Sequence, residues 1–331
     1  MGSLVGHVVP GLAFFLLGFW HLFNHIKLHS LHPNSYTSTS WFPTPILRHL
    51  ELLLIMVATS ISISMELFIG PARHQPFDPD GTIPSNHLHN FEHSSISMTF
   101  FTYAASAILL DKVSPRATYS LTQFIAAVAF AQQLLLFHFH SADHMGIEGR
   151  YHLLLQSVVL VSLTTTLMGI GLPKSFMVSF VRSVSILFQG VWLIVMGYMI
   201  WTPALVSKGC FLHFEDGHQV VNCSSHEALH RAKALVNILF SWTLITVTIF
   251  SVAFYLVLAK LYGEKVEYST LNKEDELELE LEAKEECNDF EYHKGQKLFK
   301  VMEVERQWSY ILFKLLNYVN LTAQYANTEF N

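Results

Sequence analysis

Seven stretches of about twenty apolar residues, each bounded by charge, proline or clustered polar residues, constrain this chain more than any other feature. They cover residues 5–23, 46–69, 94–110, 118–138, 153–172, 178–201 and 234–260. A hydrocarbon core about 30 Å thick is crossed by roughly 20 apolar residues in a helix. Seven such runs leave too little polar surface to keep a soluble domain in water. The runs are continuous and show no alternating ten-residue strands, so helices fit and a barrel does not. The expected fold class is all-α: a polytopic membrane helical bundle with seven transmembrane helices.

Charge is scarce and uneven. Only 14% of the residues are Asp, Glu, Lys or Arg, against about a quarter in a typical soluble chain. Residues 1–263 hold 11 acids and 12 bases, whereas residues 264–295 hold 12 acids and 4 bases. A nucleic-acid binder would need a basic face, which is missing. Three cysteines are too few for a disulfide-dense secreted domain.

The first run reads as a retained span, with no Lys or Arg ahead of it and no clear small-residue cleavage site behind it. Gly2 is present, but Gly6 stands where N-myristoylation wants Ser or Thr. Lys27, Arg48, Lys112, Arg116, Lys174, Arg182, Lys260 and Lys265 fall on the side reached by the 1–2, 3–4 and 5–6 connections and the C-terminus. Arg73, Arg150, Lys208, Arg231 and Lys233 are spread over longer loops on the other. Positive charge marks the cytoplasmic side, so the N-terminus is expected in the lumen or outside and the C-terminus in the cytoplasm.

That topology puts Cys210 and Cys223 in a lumenal 6–7 loop, where a disulfide persists, and Cys287 in the cytoplasm. The pair reads as a bridge, with two unpaired thiols as the alternative. Asn222-Cys223-Ser224 is a poor glycosylation sequon, because its middle residue is one of those cysteines. The chain is therefore expected to divide into a seven-helix domain (1–262), an acidic unfolded cytoplasmic tail (263–295) and an amphipathic extension (296–331). The tail carries the alternation Glu276-Leu277-Glu278-Leu279-Glu280-Leu281-Glu282; such acidic, aromatic-poor segments bury too little to fold. In the extension Val301, Val304, Trp308, Ile311, Leu312, Leu315, Leu316 and Val319 recur at helical spacing as one apolar stripe.

Nineteen histidines are a heavy load for so apolar a chain. Thirteen fall on the lumenal side, the densest run being Phe137-His138-Phe139-His140-Ser141-Ala142-Asp143-His144, followed by Glu148 and His152. At similar depth lie Glu66, near the end of span 2, and Glu92-His93, opening span 3. On a helix His140 and His144 share a face, as do Glu148 and His152, and His89 and His93. His138 and His140 splay unless the chain unwinds there. Imidazole and carboxylate are ordinary zinc ligands, and ionisable groups at membrane depth point to function. Glu66, His93, His138 and His152 are the favoured ligand set, with Glu92, His140, Asp143, His144 and Glu148 around them. The competing reading is loop-to-loop hydrogen bonding at a watered interface.

At the opposite side His21, His25 and His29 step by four along span 1 and read as headgroup contacts, with His21 deep enough to face the bundle. Ser60, Ser62, Ser64, Ser94, Ser95, Ser97 and Thr164 to Thr166 suit interhelical packing. Gln132, Gln133, Gln156, Gln189 and Asn237 are mid-span amides needing partners inside the bundle. They either line a path or staple helices.

Several motifs together carry a resemblance: Gly6-His7 through Gly11, Gly18-Phe19-Trp20-His21, Glu92-His93-Ser94-Ser95, the Phe-His-Phe-His run, and His152-Leu153-Leu154-Leu155. Over about residues 1–262 the chain resembles the plant branch of the transmembrane protein 45 family, whose shared region is known as domain of unknown function 716. The resemblance implies a multi-pass helical membrane protein without an established activity, and it supplies no catalytic residues. The sequence after about residue 295 departs from that pattern.

Three functional readings follow. The first is a metal- or proton-responsive membrane protein, a transporter or sensor, whose lumenal His and Glu residues bind zinc or protons. The second is a non-catalytic scaffold whose tail recruits trafficking proteins. The third is a metal-dependent membrane lipid hydrolase, for which no G-x-S-x-G or H-E-x-x-H signature is present. The lipid bilayer is the expected partner, in the endomembrane system or plasma membrane; nucleic acid is not.

Overall fold

The computed structural model describes residues 4–45, 47–70, 74–114, 118–143, 146–215 and 218–282. Among these, the side chains of 86, 140–143, 214, 215, 218 and 264–282 lie outside the description. Seven long helices dominate it. They are α1 (Leu4–Leu31), α2 (Leu50–Ser64), α3 (Leu88–Val113), α4 (Thr118–Asp143), α5 (Ile147–Gly171), α6 (Phe176–Trp201) and α7 (His226–Glu282). Seven helical segments are long and apolar enough to cross a membrane, and the protein is an all-α, seven-helix integral membrane bundle.

Several helices outrun the apolar stretches. α1 continues to Leu31, α3 begins at Leu88, and α5 begins at Ile147. Polar and histidine-rich ends propagate a helix as readily as apolar residues once its nucleus exists, so hydropathy marks the membrane-crossing core of each helix, not its ends. The α7 backbone likewise stays helical to Glu282, through the alternating Glu-Leu run that reads as unfolded; Glu and Leu both have high helix propensity. The chain divides into two compact units at Gly263 and Glu264. The expected extension and its apolar stripe lie outside the described residues.

The helices pack in the sequence α2, α3, α4, α5, α6, α1. The tightest approach is between α1 and α6. A Cβ on Gly18 would stand 2.2 Å from the backbone nitrogen of Leu187, and one on Gly190 2.2 Å from that of Phe15. Small residues that let two backbones touch are the usual basis of helix association in lipid, where apolar burial gives little drive. Gly11 faces Gly190 and Gly197 faces His7, so the two helices run antiparallel. α7 leans on the same pair through larger side chains: Phe250 and Phe254 meet Phe19, and Phe240 meets Trp192 and Phe188.

The mid-span polar residues act as staples. Ser62 bonds Ser97 between α2 and α3 at 2.9 Å, and Thr99 bonds Gln132 between α3 and α4. Between α5 and α6, Ser162 meets both Ser185 (2.8 Å) and Gln189 (2.6 Å). After α6 the chain forms a hairpin, β1 (Cys210–Glu215) and β2 (His218–Cys223), that periodicity alone does not reveal. Its first pair, Cys210 and Cys223, is a disulfide.

Candidate functional site

α2 ends in a wide turn, Met65–Ile69, with a π-type hydrogen-bond pattern, a geometry found often at functional sites. Glu66 lies in that turn, buried. Its Oε1 is 3.4 Å from Nδ1 of His93 on α3. Asn90, one turn earlier on α3, donates from Nδ2 to Glu66 Oε2 and to its backbone oxygen, both at 3.0 Å. Asn90 thereby fixes the carboxylate toward His93. On the neighbouring face of α3, His89 Nδ1 is 3.2 Å from Glu92 Oε2.

Across the bundle, His152 on α5 is buried, and its Nδ1 donates to the backbone oxygen of Glu148 at 3.0 Å. That bond orients the ring and makes Nε2 the acceptor nitrogen. The imidazole of His7 sits 5.7 Å from it and rests on Trp201 at 4.3 Å. His138 Nδ1 meets Gln156 Oε1 at 3.3 Å, while Gln156 donates to the backbone oxygen of Phe137 at 3.0 Å. α4 stays helical through Asp143, so the backbone does not unwind between His138 and His140.

The structure thus pairs Glu66 with His93, sets His138 on Gln156, and sets His152 beside His7. Among the described residues, no three His, Cys, Asp or Glu side chains gather in an arrangement that holds a metal ion. The side chains of His140 and Asp143, and the whole of His144, lie outside the described residues.

A second centre lies at the other end of α2. Glu51, in the first turn of α2, is buried and accepts three bonds. They come from His21 Nε2 to Oε1 (2.7 Å), and from Trp20 Nε1 (3.1 Å) and the Phe42 amide (3.0 Å) to Oε2. A carboxylate in the first turn of a helix is also favoured by the backbone dipole. The headgroup-contact reading of the α1 stripe is corrected here: His21 and His25 are buried, with both rings edge-on to Phe42. The 31–50 connection folds back over α1 and shields them from lipid. The signal was present in the sequence, since Glu51 opens span 2 and His21 lies within span 1.

Residues 119–256, from α4 into α7, match the family of unknown function DUF716. The DUF716 region contains His138, His152 and Gln156, whereas α1 to α3, with Glu51, Glu66 and both of their imidazole partners, precede it.

Proposed function

We propose that this integral membrane protein senses or moves protons through the polar centres at the two ends of α2. One observation carries the reading: α2 places a carboxylate at each end, and each stands against an imidazole of a neighbouring helix, Glu51 against His21 and Glu66 against His93. The two acids are fifteen residues apart, or about 22 Å along the axis. An imidazole is the side chain whose charge changes between pH 5 and 8. Neutral, it shares a hydrogen bond with the carboxylate; protonated, it forms an ion pair that draws α2 toward α1 at one end and toward α3 at the other. The charge bias of the connections favours the Glu66 end as the lumenal or exterior one.

The direct test is proton flux into vesicles that contain the full chain and a pH-sensitive dye. Wild type is expected to dissipate an imposed gradient faster than empty vesicles, or to change its thermal stability between pH 5 and 8, with E51Q and E66Q losing the effect. Wild-type vesicles that match empty ones, with a stability flat across that range, would remove the proposal.

A metal form of the reading is supported by the Glu148 oxygen on His152 Nδ1, the arrangement that commonly orients a ligating imidazole. It takes Glu66, His93, His138 and His152 as ligands and zinc as the ion. Calorimetry with zinc alone tests it: binding lost in a His138 and His152 double variant supports this form, and no binding by wild type ends it. The acidic segment as a dock for trafficking proteins is a separate proposal, tested by truncation at residue 263 and the location of the product.

A further inference from the structure

Arg182 is the one arginine buried in the described bundle, on α6, about 9 Å in from the helix start at Phe176. Its Nη1 donates to Gln123 Oε1 at 3.0 Å and its Nη2 to Ser38 Oγ at 3.1 Å. Both acceptors are neutral. The described carboxylates at this end of the bundle are engaged elsewhere, Glu51 with His21 and Asp111 with Arg48 and His49. Among the described residues, then, no carboxylate neutralises a guanidinium that is always charged, in an environment where a lone charge is costly.

A second buried group beside it is incompletely bonded. The His25 ring is fully enclosed; Tyr36 Oη meets its Nδ1 at 2.8 Å, and its Nε2 has no partner. Tyr36 lies within reach of Ser38, Ser179 and the Arg182 charge, and that charge also acts on His25. His25, Tyr36, Ser38, Arg182 and Gln123 therefore make one polar group drawn from α1, the 31–50 connection, α6 and α4. The site depends on the tautomer in which Tyr36 donates to Nδ1, since the imidazole proton then sits on Nε2 as a donor. The guanidinium lacks a counter-charge and the imidazole N–H lacks an acceptor, and one anionic oxygen group meets both needs. Lys174, at the exposed start of α6, adds positive charge at the same end.

We infer that Arg182 and His25 are the core of a binding site for a phosphate group, supplied by an anionic lipid headgroup or by free phosphate. Guanidinium and hydroxyl donors suit phosphate oxygens, and α6, at 26 residues, is about 39 Å long and so reaches from the core into the headgroup layer. Lys and Arg side chains can span the remaining depth. This site shares no residue with the Glu51 and Glu66 pairs, so its failure would leave the proton proposal standing.

The test uses the purified full-length chain in neutral detergent, with thermal unfolding as readout. Phosphatidic acid in mixed micelles is compared with phosphatidylcholine alone, and inorganic phosphate with chloride at equal ionic strength. A ligand that binds only the folded state raises the midpoint by a few degrees near saturation. A rise with phosphatidic acid alone assigns a lipid headgroup; a rise with inorganic phosphate as well assigns a free phosphate site. R182Q is expected to abolish the rise, and R182K to retain part of it. H25Q, which keeps a polar group for Tyr36 and removes the second ring nitrogen, is expected to weaken the half-maximal concentration severalfold. No rise in wild type with either probe overturns the inference, whether or not R182Q folds. An undiminished rise in H25Q or R182Q overturns it equally.

Discussion

Glu51 and His21 meet at 2.7 Å inside the bundle, and the same carboxylate also caps the Trp20 indole and the Phe42 amide. One side chain thereby ties α1, α2 and the connection between them. Removing it in E51A leaves three donors, two of them buried, without an acceptor. The expected loss is about 3–5 kcal/mol, read as a lower unfolding midpoint in detergent. E51Q keeps an acceptor oxygen and should lose clearly less; equal losses would mean that packing, not hydrogen bonding, holds this corner.

Arg48 and Asp111 make a bond of the same chemistry at 2.8 Å, yet the Arg48 side chain is 68% exposed. Screening and side-chain entropy leave such pairs worth about 0–1 kcal/mol. R48A should therefore shift the midpoint far less than E51A, and a comparable shift would contradict the contrast between exposed and enclosed pairs.

G190A tests the contact of α1 with α6. The added methyl would stand 2.2 Å from the Phe15 nitrogen and 2.6 Å from the Gly11 oxygen. Backbone cannot yield as a side chain does, so the helices must separate, at about 1–3 kcal/mol or more. G171A, with nothing within 4 Å of the new methyl, is the control and should leave the midpoint within a degree or two of wild type.

The Cys210 to Cys223 bridge closes a separation of 13 residues. Closing a loop of that size restricts the unfolded chain by roughly 3 kcal/mol. Reductant should lower the midpoint of wild type and leave a C210S/C223S double variant, already lowered, unchanged. Equal sensitivity in both proteins would place the effect elsewhere.

Tyr36 gives a pH dependence. Burial raises its hydroxyl from the ordinary 10 to about 12, against smaller opposing effects from Ser179, Arg182 and Ser38. Because the folded value lies above the unfolded one, the contribution is present in full below pH 10 and is lost as pH rises toward 12. Y36F should be flatter than wild type across that window in alkaline unfolding; parallel curves would count against the shift.

Much of this was legible in the residues. Apolar length alone marks all seven helices, and charge and histidine placement draw attention to Glu66 and His93, which the fold does bring together. Asn90 has no such mark, because an asparagine on an amphipathic stretch carries no spacing signature and is recognised only by what it touches. His21 and His25 illustrate the opposite difficulty, since a stripe at steps of four looks alike whether it faces headgroups or a folded connection. The hairpin between α6 and α7 is hidden because six-residue strands in a loop carry too short an alternation.

What the sequence determines by itself is the number of apolar helices, because the transfer of a twenty-residue segment out of water depends on its composition and length and hardly on its neighbours. Which face of each helix meets another, and so which acid finds which imidazole, belongs to the tertiary structure. Those contacts are set by where two backbones can approach, as at Gly18 and Gly190, between residues far apart in the chain. No local pattern encodes that distance.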